Sequence, residues 1–445
     1  MRRPWWIPPF LGAVPDVAPE QLRMLGVVAL GLLFDQYDFG MLGAALPRIA
    51  ASLGLGDDQL GYTLSLIRFG AVPAFLVLPL ADRIGRRRLF LAAIAGMSIG
   101  TGLTAFAQSI PQFVAIQMVT RTFMTVGLAL AFVIVTEEFP AEHRGWGIGM
   151  LGALGAVGVG LGAGLFALVD LLPYGWRALY LVGHAPALLF NAFRRGVPET
   201  RRFERHVADR NDERRPSVFA AWFLPLVHLA RAHPTRALLI AVLSFAMFFG
   251  QVSVFQLIGK FVIDERGWAP WQFSTMFVLG GAIGIGGNVV AGRLGDRVGR
   301  RAVGCASMLA FPIFACLFYL GPTWALPPAW IAFVFCVSAN TTVLRAFATE
   351  LFPTSHRGSA MGLSEVVGAV GATAGLAVLG LGTQVAADGV LHTALDLLPI
   401  DLGTASALAV MTSLLSWAVA GAGMLVLLLP ETKQRELEAI SAEDA

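Results

Sequence analysis

The chain has 445 residues, of which 56% are hydrophobic and 14% are charged, and its formal net charge is only +3. A soluble domain carries roughly 25% charged residues, so this composition excludes an ordinary soluble protein and indicates one that resides in a bilayer. So small a net charge also gives no support for nucleic-acid binding.

Apolar stretches recur along the chain at about the 20-residue length that crosses a bilayer core as a helix. Twelve spans are predicted in chain order: 24–46, 59–81, 89–108, 112–136, 146–170, 177–194, 237–262, 272–292, 303–320, 325–348, 359–384 and 404–429. We therefore expect an all-α integral membrane protein, with twelve transmembrane helices arranged as two six-helix pseudo-repeats around a central cavity. The predicted domains are an N-terminal segment, two bundles joined by a linker, and a tail: 1–23, 24–194, 195–236, 237–429 and 430–445.

Arginine is concentrated in the loops that follow the even-numbered spans. These residues are Arg83, Arg86, Arg87, Arg88, Arg144, Arg201, Arg202, Arg205, Arg214, Arg215, Arg297, Arg300, Arg301 and Arg357. Because Lys and Arg accumulate in cytoplasmic loops, we expect both termini to lie in the cytoplasm. The first apolar span is long enough to remain as a helix, so we expect a multi-pass protein of the cell (inner) membrane.

The second half of the chain repeats the loop motifs of the first. The stretch Gly292–Arg301 repeats Leu78–Arg87, and its Asp296 follows Asp82 by 214 residues. The element that begins at Glu350 repeats the one that begins at Glu137, with an offset of 213. Glycines of span five recur in span eleven: Gly149, Gly155, Gly158 and Gly162 match Gly362, Gly368, Gly371 and Gly375. A period near half the chain length predicts two similar membrane halves whose interface is available for a transport site.

These repeated motifs resemble the major facilitator superfamily over essentially the whole chain. The run Asp82-Arg83-Ile84-Gly85-Arg86-Arg87 is similar to the superfamily's loop between helices two and three, although Leu78 stands where the family usually has glycine. Pro198-Glu199-Thr200 and Pro430-Glu431-Thr432 resemble markers of its sugar-porter branch. The resemblance implies a membrane transporter that works by alternating access.

Acidic and basic residues in the repeated loops are candidates for a cytoplasmic gate. A network of such charges can close the cytoplasmic side of a transporter in one conformation and break in the other. The residues are Asp82, Arg83, Arg87, Glu137, Arg144, Asp296, Arg297, Arg301, Glu350 and Arg357. The alternative is that these charges serve only to set topology.

Two aspartates, Asp35 and Asp38, lie inside span one, where each charge costs ~2.5–3.5 kcal/mol or more near the bilayer centre. Their i, i+3 spacing places both on one helix face. Two close carboxylates in a medium of low dielectric constant cannot both ionise cheaply, so one can carry a proton. We expect Asp38 to be the proton site and Asp35 to modulate it; the Asp-x-x-Asp pattern resembles aromatic-acid:proton symporters. Proximity of Asp35 to an aqueous vestibule is the alternative.

Arg121 in span four is the expected counter-ion, since a buried guanidinium needs a carboxylate or an anionic substrate. A purely structural Arg–Asp pair is the other interpretation. Further polar residues inside spans are candidates for substrate contacts: Arg68, Gln251, Gln256, Lys260, Asn340, Arg345 and Glu365. The run around Gln251 does not match the sugar-porter pattern in helix seven, which argues against a strict sugar carrier.

We interpret the sequence as a proton-coupled symporter of a small organic solute, with an organic anion or carboxylate favoured by the basic cavity candidates. Proton-linked sugar or polyol uptake, drug efflux by antiport and a transporter-like solute sensor are the alternatives. The expected partners are the solute, protons and the lipid bilayer, and we expect the protein to function as a monomer. No nucleophile–base pair, metal-ligand spacing or phosphate loop is evident, so we expect no enzyme activity, metal or cofactor.

Overall fold

The computed structural model describes residues 14–140, 143–197, 199–200, 218–284, 286–353, 356–387 and 405–431, and every regular element in these ranges is a helix. The α-helices are α1 Pro19–Leu53, α2 Asp57–Phe69, α3 Ala71–Val77, α4 Ala81–Ile84, α5 Arg86–Thr104, α6 Ile110–Glu138, α7 Arg144–Leu165, α8 Trp176–Gly183, α9 Ala185–Leu188, α10 Phe190–Gly196, α11 Val218–Ala232, α12 Pro234–Gln256, α13 Ile258–Lys260, α14 Pro270–Gly284, α15 Gly286–Arg297, α16 Arg300–Leu320, α17 Leu326–Glu350, α18 Arg357–Ala387 and α19 Ala407–Val426. Short 3-10 turns lie at Leu78–Leu80, Phe166–Leu168 and Thr323–Ala325, and a π-helical turn lies at Phe261–Glu265.

Each predicted span coincides with helical structure. Within the described ranges, ten helical stretches are long and apolar enough to cross a membrane. The remaining two predicted spans fall on α5 and on the three short helices α8, α9 and α10. Pro186 occupies the first turn of α9, where its missing N–H interrupts the backbone hydrogen bonding that would make one continuous helix.

The chain divides into two compact units. The first contains Met1–Leu42 and Pro73–Ala220, and the second contains Gly43–Val72 and Ala221–Ala445. The segment Gly43–Val72 therefore packs with the C-terminal helices. There the Ser65 hydroxyl donates a hydrogen bond of 2.9 Å to the carbonyl of Thr373, and the backbone at Gly61 lies directly against that of Gly380.

Glycines bring pairs of long helices into backbone contact in the same way in both units. In the first unit, a Cβ atom at Gly158 or Gly162 of α7 would collide with the carbonyl of Leu33 or Tyr37 on α1. In the second unit, the matching Gly371 and Gly375 of α18 meet the carbonyls of Phe245 and Phe249 on α12. Small residues permit such close helix contacts in membranes. The sequence repeat is thus also a repeat of packing.

Replacing Gly158 by Ala should destabilise the protein, because the added methyl group meets backbone atoms that cannot move aside. Forced packing of this kind costs about 1–3 kcal/mol. Gly160→Ala on the same helix is the matched control, since the space around Gly160 is open. Thermal unfolding in detergent should show a lower midpoint for Gly158→Ala alone. Equal midpoints for the two variants would contradict the close approach of α1 and α7.

Candidate functional site

The two acids of the first unit are buried on α1. The Asp35 side chain is 5% exposed and the Asp38 side chain is 2% exposed. Oδ2 of Asp35 accepts a hydrogen bond of 2.7 Å from Nε2 of Gln36, and Oδ1 of Asp38 accepts one of 3.2 Å from the hydroxyl of Thr101 on α5. Oδ1 of Asp35 is buried and has no hydrogen-bond partner among the described residues. Among the described residues of the first unit, this carboxylate oxygen is therefore buried without a donor.

Arg121 of α6 completes this group of charges. It acts electrostatically on both Asp35 and Asp38, and its guanidinium lies 5.3 Å from the centre of the Phe39 ring. Within the part of the chain that the structure describes, this guanidinium makes no ion pair shorter than 4.0 Å and no hydrogen bond. Arg121 thus lies near the acids without an ion pair to either of them among the described residues, and its hydrogen-bond donors are available for another group.

Two further side chains near the acids were not predicted from the sequence. One is Thr101, the donor to Asp38, and the other is Tyr180 of α8, which is fully buried and interacts electrostatically with Asp38. The Tyr180 hydroxyl has no hydrogen-bond partner in the described ranges. Tyrosine occurs only five times in the chain, and this rarity was a signal from which Tyr180 could have been predicted. No sequence pattern distinguishes Thr101 from the other threonines.

The candidate substrate residues of the second unit fall into separate groups. Nη2 of Arg68 donates a hydrogen bond of 2.9 Å to Oε1 of Gln256, and Gln251 is buried with no partner for its Nε2 among the described residues. Lys260 forms an ion pair of 2.6 Å with Asp264. Oδ1 of Asn340 accepts a hydrogen bond of 2.7 Å from Ser307, which joins α16 to α17.

Arg345 and Glu365 are exposed. Of the seven candidates, the structure therefore brings Arg68 and Gln256 together.

Ion pairs connect the repeated loops to neighbouring helices within each unit. In the first unit, Arg86 and Glu137 are 3.3 Å apart, and Glu137 also accepts a hydrogen bond of 2.7 Å from the Thr200 hydroxyl. In the second unit, Arg300 and Glu350 are 2.7 Å apart. The glutamates were predicted members of the gate, but their arginine partners were not. The repeat was the available signal, because Arg86 and Arg300 occupy matching positions in it.

The other predicted gate residues have different positions. Side chains of Asp82, Arg144 and Asp296 lie outside the described residues. Arg301 donates to the carbonyl of Leu427, and Arg357 donates a hydrogen bond of 3.3 Å to the carbonyl of Phe352. Arg87 donates a hydrogen bond of 2.7 Å to the carbonyl of Arg194. Arg83 is half-buried and Arg297 is exposed.

The glutamates of the two Pro-Glu-Thr runs cap the helices that begin after the repeated loops. Glu199 accepts a hydrogen bond of 3.1 Å from the backbone N–H of Arg87 at the start of α5. Glu431 accepts bonds of 2.9 Å and 3.2 Å from the N–H groups of Arg300 and Arg301 at the start of α16. A carboxylate is stabilised at the positive N-terminal end of a helix. Each marker therefore holds the end of its own bundle to the loop after that bundle's second span.

Removing one such cap should lower stability. Glu431→Ala removes both acceptors from the first turn of α16, and the loss of an N-terminal cap costs about 1 kcal/mol. Glu365→Ala removes an exposed glutamate and is the control. We expect a lower thermal midpoint for Glu431→Ala, measured on detergent-purified protein. An unchanged midpoint would mean that these hydrogen bonds do not stabilise α16.

Buried charges on a scaffold of repeated membrane helices are typical of membrane carriers. The model of the Major Facilitator Superfamily matches residues 28–376, with a second match over 285–433. The chain therefore belongs to the Major Facilitator Superfamily. Its members are transporters, and their fold has twelve helices in two halves, as the sequence predicted.

Individual proteins of this superfamily are similar to the chain along most of its length. The sialic acid transporter of Escherichia coli is 25% identical, over 81% of this chain and 86% of that protein. The gallate transporter of Pseudomonas putida is 26% identical, over 82% of this chain and 87% of that protein. Among solved structures, a D-xylose-proton symporter superimposes with a TM-score of 0.72 at 17% identity, over 93% of this chain and 99% of that chain.

Proposed function

We propose that this transporter is a symporter that couples the movement of protons to that of a small organic anion. The observation that carries the proposal is the buried group on α1 and α6. Within the described residues, Oδ1 of Asp35 has no donor, and the nearby guanidinium of Arg121 has no acceptor. The missing donor at Asp35 favours a proton on the acid pair, and the missing acceptor at Arg121 favours a carboxylate ligand.

The proton site is the pair of acids. A buried ionised carboxylate oxygen with no donor is costly, and protonation of the pair removes part of that cost. The two carboxylates also act on each other electrostatically, so the charge of one depends on the charge of the other. The donorless oxygen belongs to Asp35, and a neutral Asp35 removes one negative charge from beside Asp38, so we give Asp35 a modulating role. We assign the transported proton to Asp38, because the Thr101 hydroxyl can donate to the ionised form of Asp38 and accept from the protonated form.

The anion site includes Arg121. Its planar guanidinium matches a carboxylate with two parallel hydrogen bonds, and its charge is permanent at every physiological pH. Protonation of Asp38 lowers the negative charge that competes for Arg121, and so favours binding of a substrate carboxylate. Loss of the proton restores the competition and favours release. This exchange couples the proton to the solute, as alternate exposure of the site to the two sides of the membrane requires.

The relatives support this substrate class. Two transporters that the chain resembles are named for sialic acid and gallate, both of which carry a carboxylate at neutral pH. Arg68, with its hydrogen bond to Gln256, supplies a further cation in the second unit. We place the protein in the cell membrane with both termini in the cytoplasm, on the basis of the arginine-rich loops.

Substitution of Asp38 by Asn tests the coupling. The amide resembles the neutral acid but cannot release a proton, so accumulation driven by a pH gradient should be lost while exchange of labelled solute across the membrane continues. Proteoliposomes loaded with candidate carboxylates, gallate first, allow both fluxes to be measured. Asp16→Asn changes an exposed aspartate and should leave both fluxes intact. Normal gradient-driven accumulation by Asp38→Asn would exclude Asp38 as the proton carrier.

Substitution of Arg121 tests the anion site. Arg121→Ala should weaken binding of the carboxylate by about tenfold to a hundredfold, since hydrogen bonds to charged groups contribute about 1.5–3 kcal/mol. Arg121→Lys keeps the charge but loses the paired geometry, so its affinity should fall between those of Ala and the native residue. Equilibrium binding of labelled solute gives the comparison. Native affinity in Arg121→Ala would place the substrate carboxylate elsewhere.

Proton-linked uptake of a sugar or polyol is the second candidate, because both Pro-Glu-Thr markers are present and the unpaired Nε2 of Gln251 can donate to a hydroxyl oxygen. The same proteoliposomes distinguish the candidates when neutral polyols and carboxylates compete for uptake. A protein that binds solute without any flux would instead be a sensor, and flux only in the outward direction would indicate efflux.

A further inference from the structure

A basic pocket lies in the first unit, apart from the buried acids. Its volume is about 750 Å³, and the side chains around it belong to the start of α5 and to α10 and the residues after it. Four arginines dominate this lining, with one glutamate and an apolar wall: Arg87, Arg88, Arg194, Arg195, Glu199 and Leu91. Two helix ends far apart in the sequence thus contribute positive charge to one open pocket.

Not all of these charges hold the fold together. The Arg87 guanidinium donates to the carbonyl of Arg194, and Glu199 accepts from the backbone N–H groups of Arg87 and Thr200. By contrast, the guanidinium groups of Arg88, Arg194 and Arg195 are exposed and make no ion pair or hydrogen bond within the described ranges. Three cations around the pocket therefore have donors available for a ligand.

The second unit shows that the scaffold does not need a cation at the position of Arg88 or of Arg194. There Arg301 donates to the carbonyl of Leu427, and Glu431 caps α16, which reproduces the bonds of Arg87 and Glu199. Ala302 follows Arg301 where Arg88 follows Arg87. Leu427 supplies its carbonyl where Arg194 supplies one in the first unit. The same architecture thus exists with apolar residues at these positions.

We propose that this pocket binds a phosphate-bearing ligand. Guanidinium groups bind phosphate oxygens with paired hydrogen bonds, and three guanidinium groups that make no ion pair among the described residues lie around this pocket. The pocket lies beside the ends of predicted spans three and six, and Leu91 and Val197 give it an apolar wall. Basic pockets between membrane helices bind anionic lipid headgroups. The ligand is the headgroup of an anionic phospholipid or a soluble phosphate compound, both recognised through the phosphate.

A charge-matched pair of variants tests this site in the full-length, delipidated protein. Arg88→Gln with Arg195→Gln removes two cations from the pocket. Arg231→Gln with Arg293→Gln removes two exposed cations elsewhere. The probes are short-chain phosphatidylglycerol, short-chain phosphatidylcholine and inorganic pyrophosphate, titrated calorimetrically in a neutral detergent. We expect the native protein and the control to bind phosphatidylglycerol alike, and the pocket variant to bind it at least about tenfold more weakly.

The probes also distinguish the two sources of phosphate. Binding of phosphatidylglycerol that pyrophosphate does not displace supports a lipid headgroup, and displacement by pyrophosphate supports a soluble compound. If the Gln variant does not fold, Arg88→Lys with Arg195→Lys retains the charges but loses the paired geometry, and its binding should weaken severalfold. Equal affinity of the pocket variant and the control overturns the proposal. So does a native protein that neither prefers phosphatidylglycerol to phosphatidylcholine nor binds pyrophosphate.

Discussion

The cost of burying charge in an apolar surrounding is the constraint on which the rest of this molecule depends. Most of the chain avoids that cost with aliphatic and aromatic side chains and with glycine contacts between helices. Where it does not, at Asp35, Asp38 and Arg121, charges of both signs lie near one another in one unit. The fold can therefore be uniform and repeated, while buried charge is confined to a few positions.

The repeat shows that the helix packing does not depend on the buried acids. The carbonyls of Leu33 and Tyr37 contact glycines in the first unit, and those of Phe245 and Phe249 contact the matching glycines in the second. On this alignment Asp35 corresponds to Met247, and Asp38 corresponds to Gly250. The helix contact survives without the acids, so the acids do not serve the contact. The acids therefore occur in one half only, and helix packing does not account for them.

Features that depend on local composition could be predicted from the sequence. Span positions follow from apolar length, the two halves from the repeat, and the acid pair from two aspartates inside one span. Contacts between helices could not be predicted, because they depend on which face each helix turns to its neighbours. For this reason Thr101 and Tyr180 were missed, and Glu137 and Glu350 were assigned to a gate without their partners Arg86 and Arg300.

Tyr37, between the two acids, is held at both ends. Its carbonyl lies against Gly162 of α7, while its hydroxyl donates a hydrogen bond of 2.8 Å to the carbonyl of Leu179 on α8. A turn of helix fixed from two directions cannot rotate about its axis without breaking one of these contacts. The depth and facing of the two acids are therefore fixed relative to α7 and α8. Arg121, in contrast, approaches the acids on a long and flexible stem, with its guanidinium beside the Phe39 ring.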